Sequence, residues 1–129
     1  MLSLDKDDFG AFLLRRRNQW FTDATLELNS NEIRVNKMLL SSRSAFFRHL
    51  FSGNYAEEHH FSLDLPNHFS IVVDILLNYG MMGVVVVPVD FTAGAWMELA
   101  ELAEYFCMED LMSICESQLC SRLHSDNHQ

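Results

Sequence analysis

The chain has 129 residues, 49% of them hydrophobic and 12% aromatic, enough for one complete core and too few for two domains. Its net charge of −9 would repel a phosphate backbone, which excludes direct nucleic-acid binding as the first reading. No apolar run approaches the ~20 residues a membrane-spanning helix needs, and the N-terminus lacks the basic-then-apolar order of a signal peptide, so no membrane partner and an intracellular location, cytoplasm or nucleus, are expected.

Residues 7–18 read as an amphipathic helix. Asp7 and Asp8 suit its positive end, Phe9, Phe12 and Leu13 form its apolar stripe, and the basic run Arg15-Arg16-Arg17 suits its negative end. Such a stripe has little to bury against in so small a fold and needs a partner surface. Residues 21–28 and 32–35 read as a hairpin, because Ala24, Leu26 and Leu28 alternate with Thr25 and Glu27 and Asn29-Ser30-Asn31 tolerates turn conformations. Asp23, just ahead of it, is placed to hold nearby backbone N–H groups or Arg43.

Two short helices follow, one carrying Met38, Leu39 and Leu40, the other Phe46, Phe47, Leu50 and Phe51. Ser44 is the expected N-cap of the second, since its hydroxyl can accept a free first-turn N–H, and Gly53 its end. Phe61, Leu63 and Leu65 alternate as a third strand. A buried helix through Ile71, Val72, Ile75, Leu76 and Tyr79 is expected to close at Gly80, with exposed Met81-Met82 after it and a strand over residues 84–87 between Gly83 and Pro88. Asp90 is the expected N-cap of a helix with Trp96, Leu99, Leu102, Ala103 and Phe106 inside. A last helix carries Glu109 and Asp110 at its positive end and Arg122 at its negative end. The domain is thus expected over residues 1–122, with 123–129 a polar, disordered tail.

The order Lys37, Met38-Leu39-Leu40, Ser42-Arg43-Ser44, Phe46-Phe47, Phe51, Gly53 resembles the BTB/POZ family, which usually has histidine where this chain has Asn36. The likeness extends from Phe21-Thr22-Asp23-Ala24-Thr25-Leu26 to the segment from Ala103 to Leu111. It implies an α+β fold, a small sheet flanked by a cluster of helices. It implies a homodimer through the first helix, with Phe9, Phe12, Leu13 and Leu4 at the interface. It also implies docking on a cullin-3 type scaffold of a ubiquitin ligase: Tyr55-Ala56-Glu57 stands where adaptor members carry their hydrophobic-x-glutamate triplet, and Tyr105 and His49 are the neighbouring contacts. In another branch the dimer takes up a co-repressor for a transcriptional regulator, and a purely structural oligomerisation domain is a third reading. The substrate or co-repressor protein is not identified by these residues.

No chemistry competes with a binding role. There is no Gly-rich phosphate loop, GxSxG or HExxH, so no enzyme activity and no cofactor are expected. His59-His60 beside Glu57-Glu58 is the one tempting cluster, but consecutive side chains do not face one point and no third ligand is set by spacing, so no metal is expected. Three cysteines without CxxC spacing exclude a disulfide framework; Cys107 and Cys115 read as small core residues and Cys120 as more exposed.

Overall fold

Alternation of apolar side chains makes one face of 24–28 dry, and the chain turns that face onto its helices. The computed structural model describes residues 1–19, 22–52, 58–65 and 70–126. In chain order these form β1 (Leu2–Leu4), α1 (Lys6–Gln19), β2 (Ala24–Leu28), β3 (Asn31–Val35), α2 (Lys37–Arg43), α3 (Ala45–Leu50), β4 (His60–Leu63), α4 (Ser70–Met82), β5 (Val86–Pro88), α5 (Ala93–Tyr105) and α6 (Glu109–Asp126). Leu13, Arg15-Arg16-Arg17, Gly53, Tyr55 and Glu57, named above, lie outside the residues whose side chains are described. The architecture is the expected α+β one, although α6 runs on to Asp126, into the segment expected to be a tail.

The larger sheet has the order β3-β2-β4. β2 and β3 are antiparallel, with Leu26 opposite Ile33, and their two-residue turn places Asn29 and Ser30 at φ 48° and 75°. That is the left-handed pair a tight hairpin requires, and asparagine tolerates it better than most side chains. The Asn29 side chain also extends the sheet, accepting from Leu65 N at 2.9 Å and donating to Leu65 O at 2.5 Å. β4 returns parallel to β2, with Leu26 opposite Phe61, so a crossover is needed and α2 and α3 lie within it. Ala24, Leu26, Leu28, Val35 and Phe61 point inward and are buried. Thr25, Glu27, Glu32, Arg34, His60 and Ser62 alternate with them and line the outer face.

A second sheet was not foreseen. β1 pairs parallel with β5, Leu2 against Val86 and Leu4 against Pro88, joined by Leu2 N to Val85 O and Val89 N to Leu4 O, both 2.8 Å. Three residues are too few for a period-2 pattern to register, which is why the strand is silent in the sequence. This ribbon gives α1 a surface inside its own chain. Phe9 is buried to 4% exposure there, against the expectation that the stripe has little to bury against within its own chain.

The helical core packs around Phe47. Its ring stacks on Phe106 at 5.0 Å between centroids and on Phe51 at 5.6 Å, and meets Phe46 edge-on. Ser44 N-caps α3 as expected, accepting from Phe47 N at 3.1 Å, and its own hydroxyl donates to Phe106 O at 2.6 Å.

Three helix ends differ from expectation. Gly80 does not close α4 but sits inside it, where a Cβ would come 2.6 Å from a Leu40 methyl; the missing side chain lets α2 approach. The helix ends at Gly83, whose φ of +79° only glycine adopts cheaply. Met81 is consequently buried and Met82 half-buried, so the pair is not an exposed turn. Thr92 rather than Asp90 caps α5, accepting from Ala95 N at 3.1 Å, because a turn closed by Phe91 N to Pro88 O occupies Asp90. Arg122 is not at the end of its helix; it reaches back and donates to Phe91 O at 2.7 Å.

Replacing Ser44 with alanine removes an N-cap and the buried donor to Phe106 O together. The expected loss is about 2 kcal/mol, read as a lower urea midpoint with an unchanged slope.

Candidate docking surfaces

The cap at Ser44 fixes more than α3. Its bond to Phe106 O holds the α3 start against the α5–α6 turn, so Phe46, half-buried, contacts both Phe106 (5.0 Å, edge-on) and Tyr105 (5.5 Å, tilted). Tyr105 in turn meets Phe106 edge-on at 4.9 Å yet stays 46% exposed. A phenol so placed presents a supported ring and a hydrated hydroxyl, the form in which tyrosine anchors interfaces. His49 is exposed and lies one turn beyond Phe46, on the same side of α3. Of the four expected docking residues, His49 and Tyr105 are thus both exposed, Tyr105 in contact with Phe46 and His49 one helical turn along from it. Tyr55 and Glu57 fall outside the described residues, but the chain leaves α3 at Ser52 and is described again from Glu58.

The return point is well anchored. Lys37 Nζ donates to the Glu58 carbonyl, and Thr25 N donates to His59 O at 2.8 Å. Asp23 is the hub: one carboxylate oxygen accepts Lys37 N at 2.9 Å, capping the approach to α2, and its carbonyl accepts from His59 Nδ1 at 3.1 Å. Holding backbone N–H was one expectation for Asp23. The other is corrected, because Arg43 points to Gly80 O at 3.2 Å instead. Asn36, at the position where the family usually has histidine, N-caps α2 by accepting from Leu39 N at 3.0 Å. Asparagine is among the preferred N-cap residues, so its place directly ahead of α2 is the signal for this cap.

At the N-terminal face, Leu4 and Phe12 are half-buried and pack on the core, whereas Phe9 is already enclosed by its own chain. Phe9 thus supports the face from beneath and has almost no surface to offer. Leu2 (53% exposed) and Met38 (79% exposed) are exposed apolar residues on β1 and α2.

Nothing in the described residues assembles a nucleophile. No serine or cysteine side chain among them bonds to a histidine ring; Ser52 Oγ donates only to the His49 carbonyl. An open groove of about 490 Å³ between α4, β5 and α5 is walled by Ile71, Val72, Pro88 and Phe91, with Asp90 and Glu98 at its edges. Burial, then the Asp110 carboxylate, raises the Tyr79 phenol above its usual range, while Arg43 opposes them. The thiols divide differently from expectation: Cys115 is buried, but Cys107 is exposed, at φ 55° in the α5–α6 turn that aims its side chain outward, and Cys120 is exposed as expected.

A sheet beside helical layers, carrying exposed aromatic and apolar residues and no assembled reaction centre among the described residues, is the framework of a protein-interaction module. The chain belongs to the BTB/POZ domain family, whose model matches residues 13–123. It is similar to mouse kelch repeat and BTB domain-containing protein 4, 30% identical over 113 residues, 88% of this chain and 20% of that protein. It is also similar to mouse TD and POZ domain-containing protein 2, 31% identical over 125 residues, 94% of this chain and 32% of that protein. The chain therefore spans a third or less of these relatives. Among solved structures, the BTB domain of human gigaxonin matches with a TM-score of 0.62 and 23% identity, over 92% of this chain and 97% of that one. The BTB domain of zebrafish PATZ1 gives the same TM-score at 16% identity, over 94% and 99%.

Burial pushes the Cys115 thiol from its ordinary 9.0 up to about 12, with Glu116 adding to the rise. A folded sample at pH 8 should therefore label rapidly at Cys107 and Cys120 only, with the third thiol reacting after denaturation. Between these two values Cys115 stays neutral when folded and ionises when unfolded, so its contribution to stability is complete below pH 9 and is lost as pH rises toward 12.

Proposed function

We propose that this chain is the docking and dimerisation module of a substrate adaptor for a cullin-3 type ubiquitin ligase, acting inside the cell and catalysing nothing itself. The observation that carries the reading is Tyr105, exposed yet braced by Phe46 and Phe106 beside the start of α3. Tyr55-Ala56-Glu57 follows α3 in the sequence after Phe51-Ser52-Gly53-Asn54, at the place where adaptor members of the family carry their contact triplet. The names of similar proteins join a BTB domain to kelch repeats in one chain, an arrangement suited to presenting a second protein. In this reading Tyr55, Glu57, His49 and Tyr105 meet the scaffold. Ubiquitin transfer belongs to the partners, and this chain supplies effective concentration and orientation.

Calorimetric titration with the N-terminal region of a cullin-3 scaffold tests it. Tyr55→Ala, Glu57→Ala and Tyr105→Ala should each weaken binding by ~2 kcal/mol, about thirtyfold, with His49→Ala at the rim costing less. A folded wild type that does not bind would overturn the adaptor reading and leave a co-repressor-binding or purely structural oligomerisation domain.

The homodimer would use Leu4, Phe12 and Leu13, with Phe9 filling the layer beneath. Half-buried apolar residues on β1 and α1 support this, since they gain most from a second surface. Phe12→Asp with Leu13→Asp should convert a dimer into a folded monomer by light scattering after size exclusion. Full retention of the dimer would place the interface elsewhere.

A further inference from the structure

The outer face of the larger sheet holds a side-chain arrangement that the docking role does not use. Glu27 on β2 and Glu32 on β3 are directly opposite partners in the antiparallel ladder, so two carboxylates share one side of the sheet. Like charges in that position repel. Among the described residues no lysine or arginine pairs with either one; Arg34, a cation on the same face, spends its guanidinium on Thr25 Oγ1 at 2.8 Å and on Thr22. What approaches both is an imidazole. His60, on β4 at the far side of β2, reaches across the central strand so that its Nε2 lies 3.5 Å from Glu27 Oε2 and 3.7 Å from Glu32 Oε1.

These spacings are long for hydrogen bonds and close to those of ligands around one ion. Two ligand atoms each 2.0–2.1 Å from a tetrahedral zinc ion stand roughly 3.3 Å apart. One ligand atom from each of Glu27, Glu32 and His60 lies within 4.8 Å of the others. The three come from three adjacent strands, whose ladder fixes their roots, and Ser62 Oγ donates to Glu27 Oε2 at 3.3 Å, orienting that carboxylate as outer-shell partners of metal ligands do.

We propose that Glu27, Glu32 and His60 form a surface site for a divalent ion of the zinc class, two carboxylate oxygens and one imidazole nitrogen, with water completing the coordination. An imidazole ligand favours zinc, copper or nickel over calcium or magnesium. The ion would cancel the repulsion between the facing carboxylates and cross-link β3, β2 and β4. It would require His60 Nε2 unprotonated.

The test is Zn²⁺ titration of the full chain at pH 7, with the exposed thiols of Cys107 and Cys120 alkylated so that they do not compete. One ion per chain should bind, and Glu27→Gln, Glu32→Gln and His60→Gln should each weaken it at least tenfold, whereas His124→Gln should not. Circular dichroism checks that the three sheet variants, whose side chains line the outer face, remain folded. Absence of binding by the alkylated wild type would overturn the site, and so would binding that survives all three substitutions. Because the variants leave Tyr105 and the 53–57 segment untouched, failure here is separate from failure of cullin docking.

Discussion

One buried hydroxyl couples the two halves of this fold. Ser44 has no solvent exposure, accepts from the first turn of its own helix and donates to a carbonyl 62 residues further along the chain. An unpaired hydroxyl there would cost more than its bonds contribute, so α3 can start only where the α5–α6 turn supplies Phe106 O. The stack of Phe51, Phe47 and Phe106 then follows, because the two backbones already stand at the distance the rings fill. Tyr105 is exposed for the same reason. With Phe106 committed inward, the preceding residue at the helix end faces solvent.

A second set of restraints works at the opposite end of β2. Asp23 ties the start of α2 to the strand through Lys37 N and holds His59 through its carbonyl, while Lys37 Nζ holds Glu58. Both ends of the 53–57 segment thus meet backbone that is fixed by other elements: Ser52 through His49 on α3, Glu58 through α2. The N-terminal face is built on the other principle. A three-residue strand against β5 covers Phe9 and leaves Leu4 and Phe12 half-covered, a surface intermediate between core and solvent.

The sequence by itself determined the features that depend on neighbours a few residues apart. Alternation through Ala24, Leu26 and Leu28 defined the hairpin, the Ser44-to-Phe47 spacing defined a cap, and the apolar density of 71–79 defined a buried helix. The same logic, with the family likeness, put Phe106 inside and Tyr105 outside. Where two local signals competed, the tertiary structure decided. Gly80 and Gly83 are both able to stop α4, and the close approach of Leu40 made the first a packing glycine and left the stop to the second. Asp90 and Thr92 are both good caps, and the turn from Pro88 chose the later one. Cys107 and Cys115 look alike in sequence, and only the left-handed turn at Cys107 exposes one and not the other. The sheet order lay beyond any local reading: that β4 would return beside β2, bringing His60 across to Glu27 and Glu32, or that Leu2–Leu4 would find Val86–Pro88, depends on pairings between segments dozens of residues apart. Local spacing carries no record of such pairings, because they are selected by how the whole chain buries its apolar surface.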